Sequence, residues 1–204
     1  MRDSAREDLG LVQRCLSGDV EAFSEVVRRY QRPVFGLIMR MLSDQGRAEE
    51  ITQDVFVRSY TKLASFDQQR KFSSWLFRIA HNAAIDELRK RRVHLLPLET
   101  KDDDDGVDLL QVLSDRKQVS PERRATGSAL REDIEEVIEQ LRPDYAEVMV
   151  LRFVEDFSYE EISEVMGIPL GTVKTYIHRA RQQTAKKIAA RGWGPDMGSE
   201  KDQK

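Results

Sequence analysis

The residues best suited to chemistry lie in one basic segment near the carboxyl end, and the chemistry they offer is non-covalent recognition. Between Leu170 and Arg191 every charged residue is a cation, although the whole chain has a formal net charge of −3. On a helical wheel Val173, Ile177 and Ala180 fall on one side and polar residues on the other. The candidate contact residues are Thr172, Lys174, Thr175, His178, Arg179 and Gln182. Such a helix is typical of surfaces that bind the phosphates and base edges of DNA.

The elements that position this helix follow a helix-turn-helix pattern over residues 158–183. Ser158 followed by Glu161 is a capping-box signature, so a first helix is predicted to begin at the next residue. Gly167 and Pro169 predict the turn, because glycine tolerates a left-handed backbone and proline ends one helix while suiting the start of another. A solvated basic helix at the end of a bundle is the alternative. The complete motif favours DNA binding.

A second cationic stretch, residues 68–92, interleaves aromatic rings with basic side chains. Trp75, Arg78, Asn82 and Arg89 recur at helical spacings and therefore fall on one stripe. Planar rings stack on unpaired bases, and an amide both donates to and accepts from a base edge. The sequence leaves an ordinary alternative open, in which the rings are core and the basic run caps a helix end.

Composition argues against several other classes of protein. Charged residues make up 34% of the chain and strand patterns are scarce, so the fold is predicted to be all-α. Cys15 is the single cysteine, which excludes an intrachain disulfide, and three scattered histidines do not suggest a metal site. With no paired-carboxylate motif, glycine-rich phosphate loop or nucleophile–base set, we expect no enzyme, cofactor or small-molecule substrate. The start of the chain has no apolar signal core and no long apolar run follows, so a cytoplasmic location is expected.

Apolar periodicity divides the chain into two small helical domains. Helices are expected over residues 22–42, 46–63 and 73–92, and again from about residue 130 onward. The expected organisation is residues 1–95 for the first domain, 96–120 for an acidic linker, 121–191 for the second domain and 192–204 for a mobile tail. The linker includes four aspartates at 102–105, which suggests a self-repelling tether that holds the two basic modules apart. The ligand pattern of a calcium loop is not in register there.

Four segments occur in a recognisable order: DVEAFSEVVRRYQRPVF, AEEITQDVFVRSY, FSSWLFRIAHNAAIDELRKRR and PLGTVKTYIHRARQQ. As a set they resemble the extracytoplasmic-function (group 4) branch of the sigma-70 family, over about residues 19–92 and 121–190. The resemblance implies a non-enzymatic specificity subunit that binds bacterial core RNA polymerase, recognises minus-35 and minus-10 promoter elements and helps to melt the DNA. A stand-alone helix-turn-helix regulator is the competing hypothesis.

The resemblance also implies roles for individual residues. Polymerase binding is expected at Glu50, Gln53, Asp54 and Phe56. Binding of the melted minus-10 element is expected at Phe72, Trp75, Arg78, Asn82, Asp86 and Arg89. The cationic helix described above is expected to read the minus-35 duplex. Family habit further implies an anti-sigma factor, which could hold the protein at the inner membrane if it is membrane-bound.

Overall fold

The computed structural model describes residues 2–95 and 127–192, and every regular element in these two ranges is helical. The helices are α1 (Arg2–Leu16), α2 (Val20–Leu42), α3 (Gln45–Lys62), α4 (Phe72–Leu95), α5 (Gly127–Glu139), α6 (Pro143–Phe153), α7 (Tyr159–Met166) and α8 (Leu170–Ala190), with a short 3-10 turn at Leu63–Ser65. The all-α fold expected from the sequence is confirmed. The expected linker at 96–120 and the tail beyond residue 192 lie outside the described residues. No described helix is long and apolar enough to cross a membrane.

Side-chain caps start two helices of the first half, residues 2–95. The carboxylate of Asp19 accepts a hydrogen bond from the Ala22 amide at 3.2 Å, and that of Asp44 accepts one from the Arg47 amide at 3.0 Å. Each cap satisfies an amide that has no partner within its own helix. The second helix continues through Pro33 without interruption, so residues 22–42 form one element, as their periodicity indicated.

A buried polar cluster joins α1 to α2. The hydroxyl of Tyr30 donates to Asp8 at 2.5 Å, and the guanidinium of Arg29 donates to the other oxygen of the same carboxylate at 2.7 Å. Burial, and then the Asp8 carboxylate, raise the pKa of Tyr30, so the phenol stays protonated and remains a donor. Both oxygens of the buried Asp8 are thereby satisfied, and α1 is held against the core.

The apolar stripes expected from periodicity form most of the core. Those of the first half include Val26, Val34, Ile38, Met41, Ile51, Val55 and Leu63. Those of the second half, residues 127–192, include Val137, Ile138, Leu141, Tyr145, Val148, Leu151, Ile162, Val165, Met166, Val173, Ile177 and Ala180. Two expected core residues lie elsewhere, since Tyr60 and Val154 are exposed. Both lie near the end of a helix, where neighbouring elements no longer cover the stripe.

The two halves pack against each other, which differs from the expectation that an acidic tether holds them apart. Helix α4 packs on α7 and α2 packs on α6, and one continuous apolar core extends through both halves. The rings of Phe77 in α4 and Phe157 before α7 meet edge to face with centroids 5.3 Å apart. Burial of these two large rings favours contact over separation.

Candidate nucleic-acid interface

The helix-turn-helix begins with a complete capping box. The amide of Glu161 donates to the Ser158 hydroxyl oxygen at 3.1 Å, and the amide of Ser158 donates to the Glu161 carboxylate at 2.7 Å. At the other end of α7, Gly167 adopts a positive φ of 67°, which favours glycine. The Ser163 hydroxyl then donates to the carbonyl of Ile168 at 2.6 Å within the turn. These contacts fix the direction in which α8 leaves the turn.

Helix α8 separates an apolar side from a polar side, as the wheel predicted. Val173, Ile177 and Ala180 are buried against the other helices of the second half. The exposed candidates are Lys174, Thr175, His178, Arg179 and Gln182, while Thr172 is half-buried. The polar side is therefore available to a groove of DNA, which is wide enough to admit a helix.

Two cations of the basic segment form hydrogen bonds within the protein and are not free to contact DNA. The guanidinium of Arg191 donates to the carboxylates of Asp133 at 2.7 Å and Glu136 at 2.9 Å. The ammonium of Lys187 donates to the side chain of Gln140 at 3.2 Å. These bonds tie the end of α8 to α5 and its following turn. The exposed cations that remain available to a partner are Lys174, Arg179, Arg181 and Lys186.

The exposed face of α4 carries most of the expected minus-10 stripe. Its outward side chains are Arg78, Asn82, Asp86 and Arg89. Trp75 is only partly buried, and its ring lies 5.2 Å from that of Phe66 and 5.6 Å from that of Phe72, between centroids. Phe72 itself is only 3% exposed, so it supports the Trp75 ring from within the core. Helical spacing suits core and contact residues equally, and the expected contact between Phe72 and DNA stays a prediction.

Helix α3 presents an acidic and polar face to solvent. Glu50, Gln53 and Asp54 are exposed as expected, whereas Phe56 is only 7% exposed and belongs to the core. In place of Phe56, the exposed apolar group on this face is Val57, at 63% exposure. Its spacing of four from Gln53 and three from Asp54 is a signal that sequence reasoning could have used.

An exposed aromatic ring lies next to Val57 on this face. Tyr60 is 47% exposed, one helical turn after Val57, and packs edge to face on Phe23 of α2 with centroids 4.8 Å apart. Five exposed residues of α3 form a mixed surface, which we call the α3 surface: Glu50, Gln53, Asp54, Val57 and Tyr60. Its composition, an apolar centre beside polar groups, is typical of a protein-binding site.

An ion pair fixes the start of α3 against α4. The guanidinium of Arg91 donates to the Asp44 carboxylate at 2.8 Å. The Arg47 amide bond, and then Arg91, lower the pKa of Asp44, so the cap stays ionised well below neutral pH. The same carboxylate therefore caps one helix and holds the other. Among the described residues, no group of three histidine, cysteine or acidic side chains is arranged to bind a metal ion.

Comparison with known proteins identifies both parts of this arrangement. The family model for Sigma-70 region 2 matches residues 26–93, which include α3 and α4, and the model for Sigma-70, region 4 matches residues 131–183, which include the helix-turn-helix. The chain is 36% identical over 178 residues to the ECF RNA polymerase sigma factor SigW of Bacillus subtilis, covering 87% of this chain and 94% of that protein. The chain belongs to the extracytoplasmic-function sigma factors.

Further similarities agree with this assignment. This sigma factor is 32% identical over 186 residues to the ECF RNA polymerase sigma-E factor of Escherichia coli K12, covering 89% and 94% of the two chains. Its fold is also similar to that of the sigma factor RpoE from Bartonella quintana, solved in complex with the anti-sigma factor NepR. The TM-score is 0.62 at 20% identity, over 83% of this chain and 98% of that one.

Family membership confirms the function expected from the sequence. Sigma factors are transcription initiation factors that bind core RNA polymerase and promoter DNA, and they are not enzymes. The chain is therefore a specificity subunit rather than a stand-alone regulator.

Proposed function

We propose that this sigma factor divides promoter recognition between its halves, with α8 reading the minus-35 duplex and α4 holding the melted minus-10 strand. The observation that carries this proposal is that both helices bury an apolar side and expose a polar stripe rich in arginine, lysine and amide groups. Core RNA polymerase binds the α3 surface. The three surfaces correspond to residues 1–95 for polymerase and minus-10 binding and 121–191 for minus-35 binding, joined by the acidic segment 96–120.

At the minus-35 element, the exposed donors of α8 suit the major groove. Lys174 and Arg179 can donate to guanine O6 and N7 or to phosphates, and the amide of Gln182 can pair with adenine. Thr172, Thr175 and His178 lie beside them and add shorter contacts. A well-formed bidentate pairing contributes about 1 to 3 kcal/mol of discrimination between bases.

At the minus-10 element, the exposed stripe of α4 suits unpaired bases. Asn82 can recognise a base edge, and the partly exposed edge of Trp75 can support a stacked base. Arg78 and Arg89 lie along the same stripe and can neutralise the strand, with Asp86 between them as an acceptor. Binding of flipped bases offsets the cost of unpairing, so DNA melting needs no catalytic group.

For polymerase binding, Glu50, Gln53 and Asp54 supply charge and hydrogen bonds. Val57 and Tyr60 add the apolar area that these polar residues lack. Phe56 acts from the core by supporting α3. An acidic helix face with a small apolar centre suits a partner surface that carries basic residues around an apolar patch.

An anti-sigma factor is the expected regulator, since a free sigma factor would compete continuously for polymerase. The structurally similar RpoE of Bartonella quintana was solved with such a protein. We place this sigma factor in the cytoplasm with its polymerase, held at the inner membrane where its anti-sigma factor is membrane-bound.

Run-off transcription with purified core polymerase tests the proposal. We expect initiation from promoters that carry both elements, and a duplex gel shift that is weak until polymerase is added. Strong binding of the protein alone to a palindromic duplex, without transcription, would indicate the stand-alone regulator instead. Promoter specificity is then measured by run-off from a library in which each element is varied in turn.

A further inference from the structure

A buried contact between a histidine and a glutamate joins the two halves. The imidazole Nδ1 of His81 in α4 lies 2.7 Å from a carboxylate oxygen of Glu147 in α6, 66 residues further along the chain. His81 is buried, and Glu147 is only 2% exposed. The edge-to-face pair of Phe77 and Phe157 supplies the apolar part of the same interface. These four residues hold α4 against the second half.

The rim of this interface is charged. Just before α4, Lys71 pairs with Glu161 at 3.5 Å and Arg70 pairs with Glu164 at 3.1 Å, both acids belonging to α7. The Lys71 ammonium also lies 4.6 Å from the centroid of the Phe157 ring. The cations that lead into the minus-10 helix are therefore neutralised by the helix-turn-helix rather than by DNA.

The packing between the halves is incomplete. A groove of about 520 Å³ lies between α2, α5 and α6, and its lining includes Pro33, Ile134, Ile138 and Val150. Charged pairs and this groove border the apolar contact between the halves, and interfaces between domains that are partly polar commonly permit relative motion.

With the halves in contact, α4 and α8 lie too close together to bind both elements of one promoter. Helix α7 packs on both α4 and α8, and packed helices lie about 8 to 10 Å apart, so the axes of α4 and α8 are within about 20 Å. Neither helix is longer than about 35 Å, so helix length extends the distance that the two stripes can span by at most that amount. The minus-35 and minus-10 elements lie about 25 base pairs apart, or about 85 Å of duplex. The two stripes cannot occupy both elements while the halves remain in contact.

We propose that this arrangement is an autoinhibited state, in which the buried His81–Glu147 contact locks the two halves together until polymerase separates them. The proposal rests on the assignment of α4 and α8 to the two promoter elements. Opening exposes the rings of Phe77 and Phe157 and releases Arg70 and Lys71 from the acids of α7. Only then can the cations before α4 meet the melted strand.

The chemistry of the pair makes the lock sensitive to pH. Burial by itself lowers the pKa of His81, but the carboxylate of Glu147 and, less strongly, that of Asp144 outweigh it, and the pKa is raised. Arg78 on α4 acts against protonation. Because the closed state raises the pKa, the imidazolium stabilises closure fully below its ordinary pKa of about 6.5. That stabilisation is lost as the pH rises through the pKa of the closed state.

Energy transfer between dyes in the two halves measures closure directly. Cysteines are introduced as Ser24→Cys in α2 and Ala185→Cys in α8, both exposed, in a Cys15→Ser background. We expect transfer to be high at pH 6 and the closed-to-open ratio to fall by at least about threefold by pH 9. Core polymerase should lower the transfer at either pH. The proposal would be overturned if energy transfer between the dyes were low at pH 6 or did not depend on pH.

The variant Glu147→Gln separates the lock from a merely structural contact. Without the carboxylate, burial dominates and disfavours the imidazolium, so closure should become weaker at pH 6 and should strengthen, not weaken, as the pH rises. Glu160→Gln is the matched control, since Glu160 is an exposed acid of α7 outside this interface. It should titrate like the parent protein. A Glu147→Gln protein that is folded by circular dichroism yet keeps the parental pH response would contradict the lock.

Run-off transcription distinguishes failure of this proposal from failure of the proposed function. If transcription required both promoter elements but energy transfer did not depend on pH, the proposed lock would be wrong and the promoter assignment would stand. If closure responded to pH as described but the protein transcribed from promoters that lack one element, the assignment of α4 and α8 would be wrong. Closure could then no longer be interpreted as inhibition of promoter binding.

Discussion

The guanidinium of Arg47 binds both carboxylate oxygens of Glu87, with Nε 2.8 Å from one oxygen and Nη2 2.8 Å from the other. The two residues are 40 positions apart, one in the first turn of α3 and one on the buried side of α4. Bidentate pairs of this kind fix orientation as well as distance. The pair therefore sets the angle between the α3 surface and the minus-10 stripe.

Removing Arg47 should destabilise the first half. In Arg47→Met the Glu87 carboxylate stays buried without its main partner, and we expect a loss of about 1 to 3 kcal/mol in the free energy of unfolding. Urea denaturation followed by circular dichroism measures it. Arg58→Met, an exposed arginine of the same helix, should change the free energy by less than about 0.5 kcal/mol. Equal effects of the two substitutions would show that the pair has no special role.

The same pair gives a defined response to acid. Hydrogen bonding by Arg47, followed by Arg91, lowers the pKa of Glu87 despite its burial. A carboxyl with a lowered pKa stabilises the fold above its ordinary value of about 4.3, and this contribution is lost as the pH falls through the pKa of the folded state. Unfolding free energies measured from pH 6 to pH 3 should fall more steeply for the parent protein than for Arg47→Met. Parallel curves would contradict this.

The capping box should contribute measurably to the helix-turn-helix. Ser158→Ala removes the acceptor for the Glu161 amide, and we expect a loss of about 1 kcal/mol in unfolding free energy. Ser158→Thr retains the hydroxyl and should lose much less. Thermal unfolding of the two variants, compared with Ser24→Ala on the exposed side of α2, provides the measurement. A loss with Thr as large as that with Ala would indicate that packing, not capping, matters at this position.

Asn82 should act in DNA melting and not in polymerase binding. Asn82→Ala removes an exposed amide without disturbing the core, so association with core polymerase should be unchanged. Open complexes at a two-element promoter should decrease about tenfold, which corresponds to one lost base contact. Permanganate reactivity of unpaired thymines measures this. Gln31→Ala, an exposed amide on α2, is the control, and a matching decrease there would refute a specific role for Asn82.

Lys174 should contribute to minus-35 binding through charge or base contact. Lys174→Ala should weaken promoter binding by holoenzyme, and if Lys174 contacts a phosphate the salt dependence should decrease by about one unit of slope. A contact to a base instead makes the loss depend on the minus-35 sequence. Lys62→Ala, at the end of α3, serves as the charge-matched control. Unchanged affinity at every salt concentration and on every promoter would exclude Lys174 from the interface.

Local features of the fold could be predicted because they depend on near neighbours. The capping box at Ser158, the left-handed turn at Gly167 and the two-sided character of α8 all follow from residues three or four positions apart. The candidate site was predictable to the same degree. Exposed stripes on α4 and α8 follow from periodicity, but Phe56 and Phe72 occupy positions that suit either a core or a contact.

By itself, the sequence determined the helices, the helix-turn-helix and the sigma-70 family, because each depends on local spacing or on motifs in order. Tertiary structure alone decided that the two halves meet, that Glu147 is buried against His81, and that Arg47 orients α3 through Glu87. The physical reason is that an ion pair between residues 40 or 66 positions apart has no local signature. Any exposed or buried acid in the chain could have been the partner until packing brought one of them within hydrogen-bonding distance.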